Sequence, residues 1–370
     1  VRNITLASLA DKKIGVGDHF AYYLSMSAWL KPAGCLVGSA LLGLVLVLCP
    51  AAAQEVIVFG TPDDAVGWLQ AENWWGEEQH GEQLRVPNAI ITGISQRWRE
   101  NAGKMPVAEK KEIFYRFILP LVMHANTMVL ERRSRLMRMA DTLADGDKLP
   151  AADLAWLQQA AVLLRITKQG AATPGDSTAE LQDVIAQALF RLDVIPAGLV
   201  LGQAAYESGY GTSRFAVDGN ALFGQWTFGG EGMKPEQQRK SLGDHRIASF
   251  LWLFDSVRAY YLNLSSHPAY ADFRRLRAEL KAAGKPVSSL ALADGLIHYS
   301  ERGQAYVDTL KGIIRVNRLE IADDAVFRAE PMRFLVAADS AADAARLREE
   351  IEVLRASGEL AQIVARMRLE

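Results

Sequence analysis

The sequence predicts a mainly α (α+β) protein. From Val107 onward, apolar residues recur at three-and-four spacing in one segment after another, and proline, serine and glycine stand where such segments begin and end. Strand-like runs are few and short, at 56–59 and 245–250. Half of the 370 residues are hydrophobic, enough for one sizeable domain with extensions or for two small ones.

The chain opens with residues 1–25, which read as a misassigned upstream extension, translation being expected to start at Met26. Residues 26–53 have the proportions of a secretory signal peptide: Lys31, an apolar run from Cys35 to Leu48, then Ala51, Ala52 and Ala53 before Gln54. The run is short for a membrane span of about 20 residues. Left uncleaved, it would hold the chain at the inner membrane. Cleavage after Ala53 removes both cysteines, Cys35 and Cys49, so the mature protein needs no disulfide in an oxidising compartment. A periplasmic or otherwise exported protein is expected.

Residues 54–105 form an N-terminal extension with one strand-like run, followed by AENWWGEEQHGEQ. This segment reads as a poorly ordered extension pinned by one tryptophan; the alternative is a glycan-contacting patch at Trp74 and Trp75. Residues 106–179 form a helical block. Within it, 107–141 is one long helix or a pair broken at Pro120, 150–168 is a second helix, and 168–178 is a loop. Helices follow at 181–192, 256–264, 270–282 and 306–316, with a Gly284-Lys285-Pro286 turn and a segment at 290–296. The tail, 326–370, has Phe334-Leu335-Val336 ahead of a helix from Ser340 through Leu354, a break at Ser357-Gly358, and a further helical run at 360–367. It reads as a packing or docking appendage.

The stretch AYESGYGTSRFAVDGNALFGQW carries the chemistry. Pro196 suits a first helical position, Ala197 to Ala205 is largely apolar, and Gly209 is a natural left-handed terminator. Glu207 therefore falls in the last turn, on the face expected to meet the core. Burial and the partial negative charge of a helix C-terminus both favour its protonated form, which could donate to a leaving oxygen. Tyr210 sits in the turn that follows, then Asn220, Phe223, Gly224, Gln225 and Trp226. Aromatic faces stack on sugar rings, amides bond hydroxyl and N-acetyl groups, and glycines admit a ligand to the backbone. The alternative is a small satellite core, which Phe223 fits, while Trp226 fits either reading.

The run QAAYESGYGTSRFAVDGNALFGQW resembles the signature of glucosaminidase (mannosyl-glycoprotein endo-β-N-acetylglucosaminidase-like) domains of glycoside hydrolase family 73, in particular the Bax type. The resemblance continues through DHRIASFLWLFDSVRAYYLNLSSHPAYADFRRLRAEL and LIHYSERGQAYVDTLKGIIRVNRL, so the domain is placed at 180–325. It implies a lysozyme-like fold with a small β-lobe beside a groove, and hydrolysis of β-1,4 bonds of N-acetylglucosamine in peptidoglycan. Carried over, Glu207 takes the place of the general acid, Tyr299 that of the tyrosine in the later active-site segment, and Tyr306 that of the second aromatic. Ser300, Glu301 and Arg302 depart from the run common in many relatives outside the Bax type. Most glycosidases use two carboxyl groups; the β-lobe offers Asp244 first and Glu231 next, with Glu236 also there, while a route assisted by the substrate's N-acetyl group would need neither.

A formal charge of −2 and a pI near 6.4 argue against nucleic acid as a partner. His124, His245, His267 and His298 lack metal-ligand spacing, and no cofactor motif is present, so neither a metal nor a cofactor is expected. The expected partner is the glycan strand of peptidoglycan; protein partners are not indicated. Two other functions fit the same residues: a lytic transglycosylase, and a non-catalytic murein-binding protein.

Overall fold

A computed structural model describes residues 55–74, 83–167, 177–227, 232–234 and 246–358. The signal-like segment, Trp75, Glu231, Asp244 and the run at 360–367 lie outside the described residues.

The core is helical and organised around one long helix, α3. Ahead of it come β1 (Val56–Phe59), α1 (Pro62–Ala71), β2 (Arg85–Val86), β3 (Ala89–Ile91) and α2 (Gln96–Asn101). α3 itself runs Val107–Ala144 without a break. Pro120 sits inside it, buried, so the residue that the sequence left as kink or boundary does not divide it. By length and composition α3 could cross a membrane, yet most of that stretch is buried in the protein, as expected of a core helix.

α4 (Ala151–Leu163) and α5 (Thr178–Arg191) pack beside α3's middle and C-terminal half and lead to α6 (Ala197–Ser208). α6 is apolar around its whole circumference: every residue from Ala197 to Ala205 is buried. The expected single core-facing stripe is therefore replaced by burial on all sides, because α3, α11 (Gln304–Val316) and a short 3-10 turn at Leu319–Ala322 pack around it. Pro196 is the N-cap rather than the first helical residue; Gly198 N donates to Asp323 Oδ1 at 2.9 Å, supplying the cap that proline lacks.

After α7 (Arg214–Gly219), a two-stranded antiparallel lobe pairs β4 (Trp226–Thr227) with β5 (Arg246–Ile247). The strand expected over 245–250 is thus shorter. Its residues Ala248 and Phe250 instead donate to Gln225 O and Gly219 O, both at 2.8 Å, which turns the chain back. α8 (Leu253–Ser266), α9 (Ala271–Ala282) and α10 (Ser289–Leu292) then complete the helical shell. A mainly α protein with a small β-lobe beside the acid-bearing helix agrees with the lysozyme-like fold expected.

The two chain ends meet. β7 (Arg333–Ala337) is the central strand of a parallel sheet between β1 and β3, in register Val56↔Phe334 and Ile91↔Leu335; β6 (Val326–Phe327) pairs with β2. α12 (Ala341–Ser357) covers β1 through the buried Ala344, Leu347, Ile351 and Leu354, and α3 packs on β3. The extension expected to be poorly ordered and the tail read as an appendage are halves of one α/β layer. Local periodicity does not reveal it, since strand pairing joins residues more than 240 positions apart. Trp74 is buried, its indole N–H donating to Arg116 O at 3.2 Å, and so pins the extension rather than presenting a glycan surface.

Candidate active site

Glu207 is the penultimate residue of α6, half-buried. Burial raises its pKa above the ordinary carboxylate value, opposed by a hydrogen bond from Tyr306 Oη to Oε1 at 2.9 Å. Oε2 accepts no bond from the described residues. Gln203, one turn back on α6, donates from Nε2 to Tyr306 Oη at 2.8 Å, and Tyr260 Oη on α8 donates to Gln203 Oε1. Tyr306 and Tyr260 are held neutral by burial, their pKa values pushed far up.

Phenol rings wall this network. Tyr299 stacks on Tyr306 with ring centres 5.6 Å apart, and its hydroxyl donates to Phe223 O at 3.3 Å. Tyr206 meets Tyr306 edge-on at 5.5 Å, and its hydroxyl accepts from the exposed Arg302. The structure thus brings together Glu207, Tyr299 and Tyr306. It adds Gln203, Tyr260, Tyr206 and Arg302, which sequence reasoning did not assign to the site. The spacing of Gln203 four residues before Glu207 was the available signal for one of them.

The turn after α6 is held by its own chemistry. Gly209, Tyr210 and Gly211 are successive left-handed residues, φ 59°, 59° and 74°. A non-glycine residue is rarely found there without support. Tyr210 receives that support from Trp98 Nε1, which donates to its carbonyl at 3.0 Å, and from edge-on contacts with Phe114 and Tyr115 on α3. Its ring therefore packs on α3.

Phe223, Asn220 and Gln225 also make contacts within the fold. Phe223 is buried and stacked 4.1 Å from Tyr260, because the chain turns inward there; only its carbonyl serves the site. Asn220 caps α7 with φ 50° and spends its Nδ2 on Leu251 O and Phe250 O at 3.0 and 3.3 Å. Gln225 has a buried Oε1 with no hydrogen-bond partner among the described residues, while its carbonyl accepts from Ala248 N. Trp226 is 50% exposed on β4, presenting an aromatic face to solvent, and Gly224 leaves open space where a side chain would be. Asp244 and Glu231 fall outside the described residues.

The domain is mainly α, with a protonation-prone glutamate at the end of its buried helix, walled by tyrosines. Residues 183–319 match the Glucosaminidase family model, described as mannosyl-glycoprotein endo-beta-N-acetylglucosaminidase. Protein bax of Escherichia coli (strain K12) is 37% identical over 134 residues, 36% of this chain and 47% of that protein. The chain thus spans about half the length of this curated relative. No solved structure matches it significantly. Residues 183–319 are thus similar to glucosaminidase domains and to part of Protein bax.

Proposed function

We propose that this protein is an exported hydrolase of peptidoglycan glycan strands that cuts β-1,4 bonds of N-acetylglucosamine, with Glu207 as general acid. The observation carrying this reading is the Glu207 carboxyl itself, kept prone to protonation by burial at the end of α6 while Oε2 is free of described partners. The proton passes from Glu207 to the glycosidic oxygen as the bond from that oxygen to the anomeric carbon breaks; water supplies the new hydroxyl, and its proton goes to a base. For the base, Asp244 is the first assignment and Glu231 the second. Trp226 offers a stacking face for a sugar ring. Export rests on the signal-like segment 26–53.

Purified protein on murein, with products identified by mass spectrometry, tests this. Reducing-end N-acetylglucosamine is expected, with a loss of about 10²-fold or more in Glu207→Gln. Stability should not fall in that variant near neutral pH. A carboxyl whose pKa is raised on folding weakens the fold as pH rises through the unfolded and then the folded value, so its amide replacement loses nothing there. Activity retained by Glu207→Gln would refute the acid assignment. 1,6-Anhydromuramyl ends would make the protein a transglycosylase, and binding without release a murein-binding protein.

A further inference from the structure

We propose that Gln203 and Tyr260 are positioning residues that set the direction of the Tyr306–Glu207 hydrogen bond, and so decide which carboxyl oxygen carries the acid proton. The proposal rests on Glu207 being the proton donor of the reaction above. Four groups stand in line: Tyr260 Oη donates to Gln203 Oε1, Gln203 Nε2 to Tyr306 Oη, and Tyr306 Oη to Glu207 Oε1. Gln203, Tyr260 and Tyr306 are almost completely buried. A phenol has one proton to give. Since the Tyr306 oxygen already receives an N–H from Gln203, its proton goes to Glu207.

Gln203 alone does not impose this order. With its amide reversed, Oε1 would face Tyr306, and Tyr306 would donate inward. Glu207 could then reach the phenol only by giving up its own proton, held away from any substrate. Tyr260 prevents the reversal. Its hydroxyl has Gln203 as its hydrogen-bond partner among the described residues, and its ring packs against those of Phe223 and Tyr261. A reversed amide would turn N–H toward it and leave the buried phenol proton without its acceptor, an arrangement folded proteins avoid.

With the order held, Oε1 is an acceptor and the acid proton belongs on Oε2. Other groups facing Glu207 do not substitute for Tyr306. The Tyr299 hydroxyl is committed to Phe223 O, Tyr206 accepts from Arg302, and the Tyr270 phenol bonds Asn263, its pKa raised by burial and by the nearby Glu207 charge. The Tyr306 bond favours the ionised carboxylate, so it also limits how far burial lifts the Glu207 pKa.

The test is Tyr260→Phe in the full chain, which removes one oxygen and leaves the ring stacked. Two quantities are read: the alkaline limb of kcat/KM on murein, and the titration of the Glu207 carboxyl by carbon-13 NMR, assigned with Glu207→Gln. Gln203 should reverse and Tyr306 turn away from Glu207. The carboxyl then titrates at higher pH, the alkaline limb moves up with it, and kcat/KM near neutrality falls about tenfold, part of what a general acid contributes. Tyr306→Phe, which deletes the donor outright, should move both in the same direction. Should Tyr260→Phe fail to fold, Gln203→Met removes the N–H that orders Tyr306 without adding charge and carries the same expectation. An unmoved titration and an unmoved limb in the folded variant would overturn the proposal, even if the rate fell. If the wild-type protein releases no glycan fragments, the hydrolase reading fails, and the NMR titration still judges the network.

Discussion

The start of the acid-bearing helix has no room for a side chain at Gly198. A Cβ there would lie 2.3 Å from Leu319 O, 2.7 Å from Leu319 C and 2.8 Å from Ser289 Oγ, whereas heavy atoms settle at about 3.5–4.0 Å. Leu319 is obstructive through its backbone, which cannot rotate away, so α6 and the turn at Leu319–Ala322 must part by about 1 Å. That movement pulls on Asp323, which accepts from Gly198 N at 2.9 Å, Ser289 N at 2.8 Å and Ser289 Oγ at 2.5 Å. Overpacking costs about 1–3 kcal/mol, and a weakened bond to a charged acceptor up to about 1.5–3 kcal/mol. Against this, alanine is better than glycine in a helix by about 0.8–1.0 kcal/mol. Gly198→Ala should therefore lose roughly 2–4 kcal/mol in urea unfolding. Gly312 on α11 is the control: nothing lies within 4 Å of a Cβ there, so Gly312→Ala should gain about 0.5–1 kcal/mol. A displacement near 1 Å at Glu207 would also cost about 10²-fold in rate. Gly198→Ala as stable as the wild type would refute the packing argument.

Other outcomes follow from the same structure. Glu72 receives Arg333 through two bonds, 2.5 and 2.7 Å, which tie α1's end to β7 and hold the Glu72 carboxyl below its ordinary range. A depressed carboxylate stabilises the fold above its unfolded pKa and loses that contribution as pH falls from about 4.5 through the lowered value. Glu72→Gln should thus be less stable at neutral pH and lose less stability on acidification below 4.5, as followed by thermal melting. Equal acid sensitivity of both proteins would contradict it. Trp226→Ala should raise KM for glycan several-fold with melting unchanged, because the ring is half exposed; a drop in stability with KM intact would assign it to the core instead.

Where local rules act, sequence and structure correspond closely. Gly209 ends α6 in the left-handed conformation, Ser340 caps α12, and Gly358 closes it, each as its side-chain chemistry dictates. Glu207 falls in the last helical turn because proline and glycine bracket the segment. Other side chains are placed by tertiary contacts that no local rule supplies. The Asn220 amide bonds the backbone just ahead of α8, and the Phe223 ring stacks on Tyr260 within it. Tyr210 is drawn to α3 by Trp98, from the extension that composition alone makes look weakly ordered.

The sequence by itself determined the mainly α character, the boundaries of α6, and a glutamate at its dry end. These depend on periodicity and caps within a few residues of one another. Only the tertiary structure decided that Gln203 and Tyr260 stand behind Tyr306, and that both ends of the chain share one parallel sheet. Hydrogen-bond direction and strand pairing depend on groups far apart in the chain, and no local pattern encodes which of them meet.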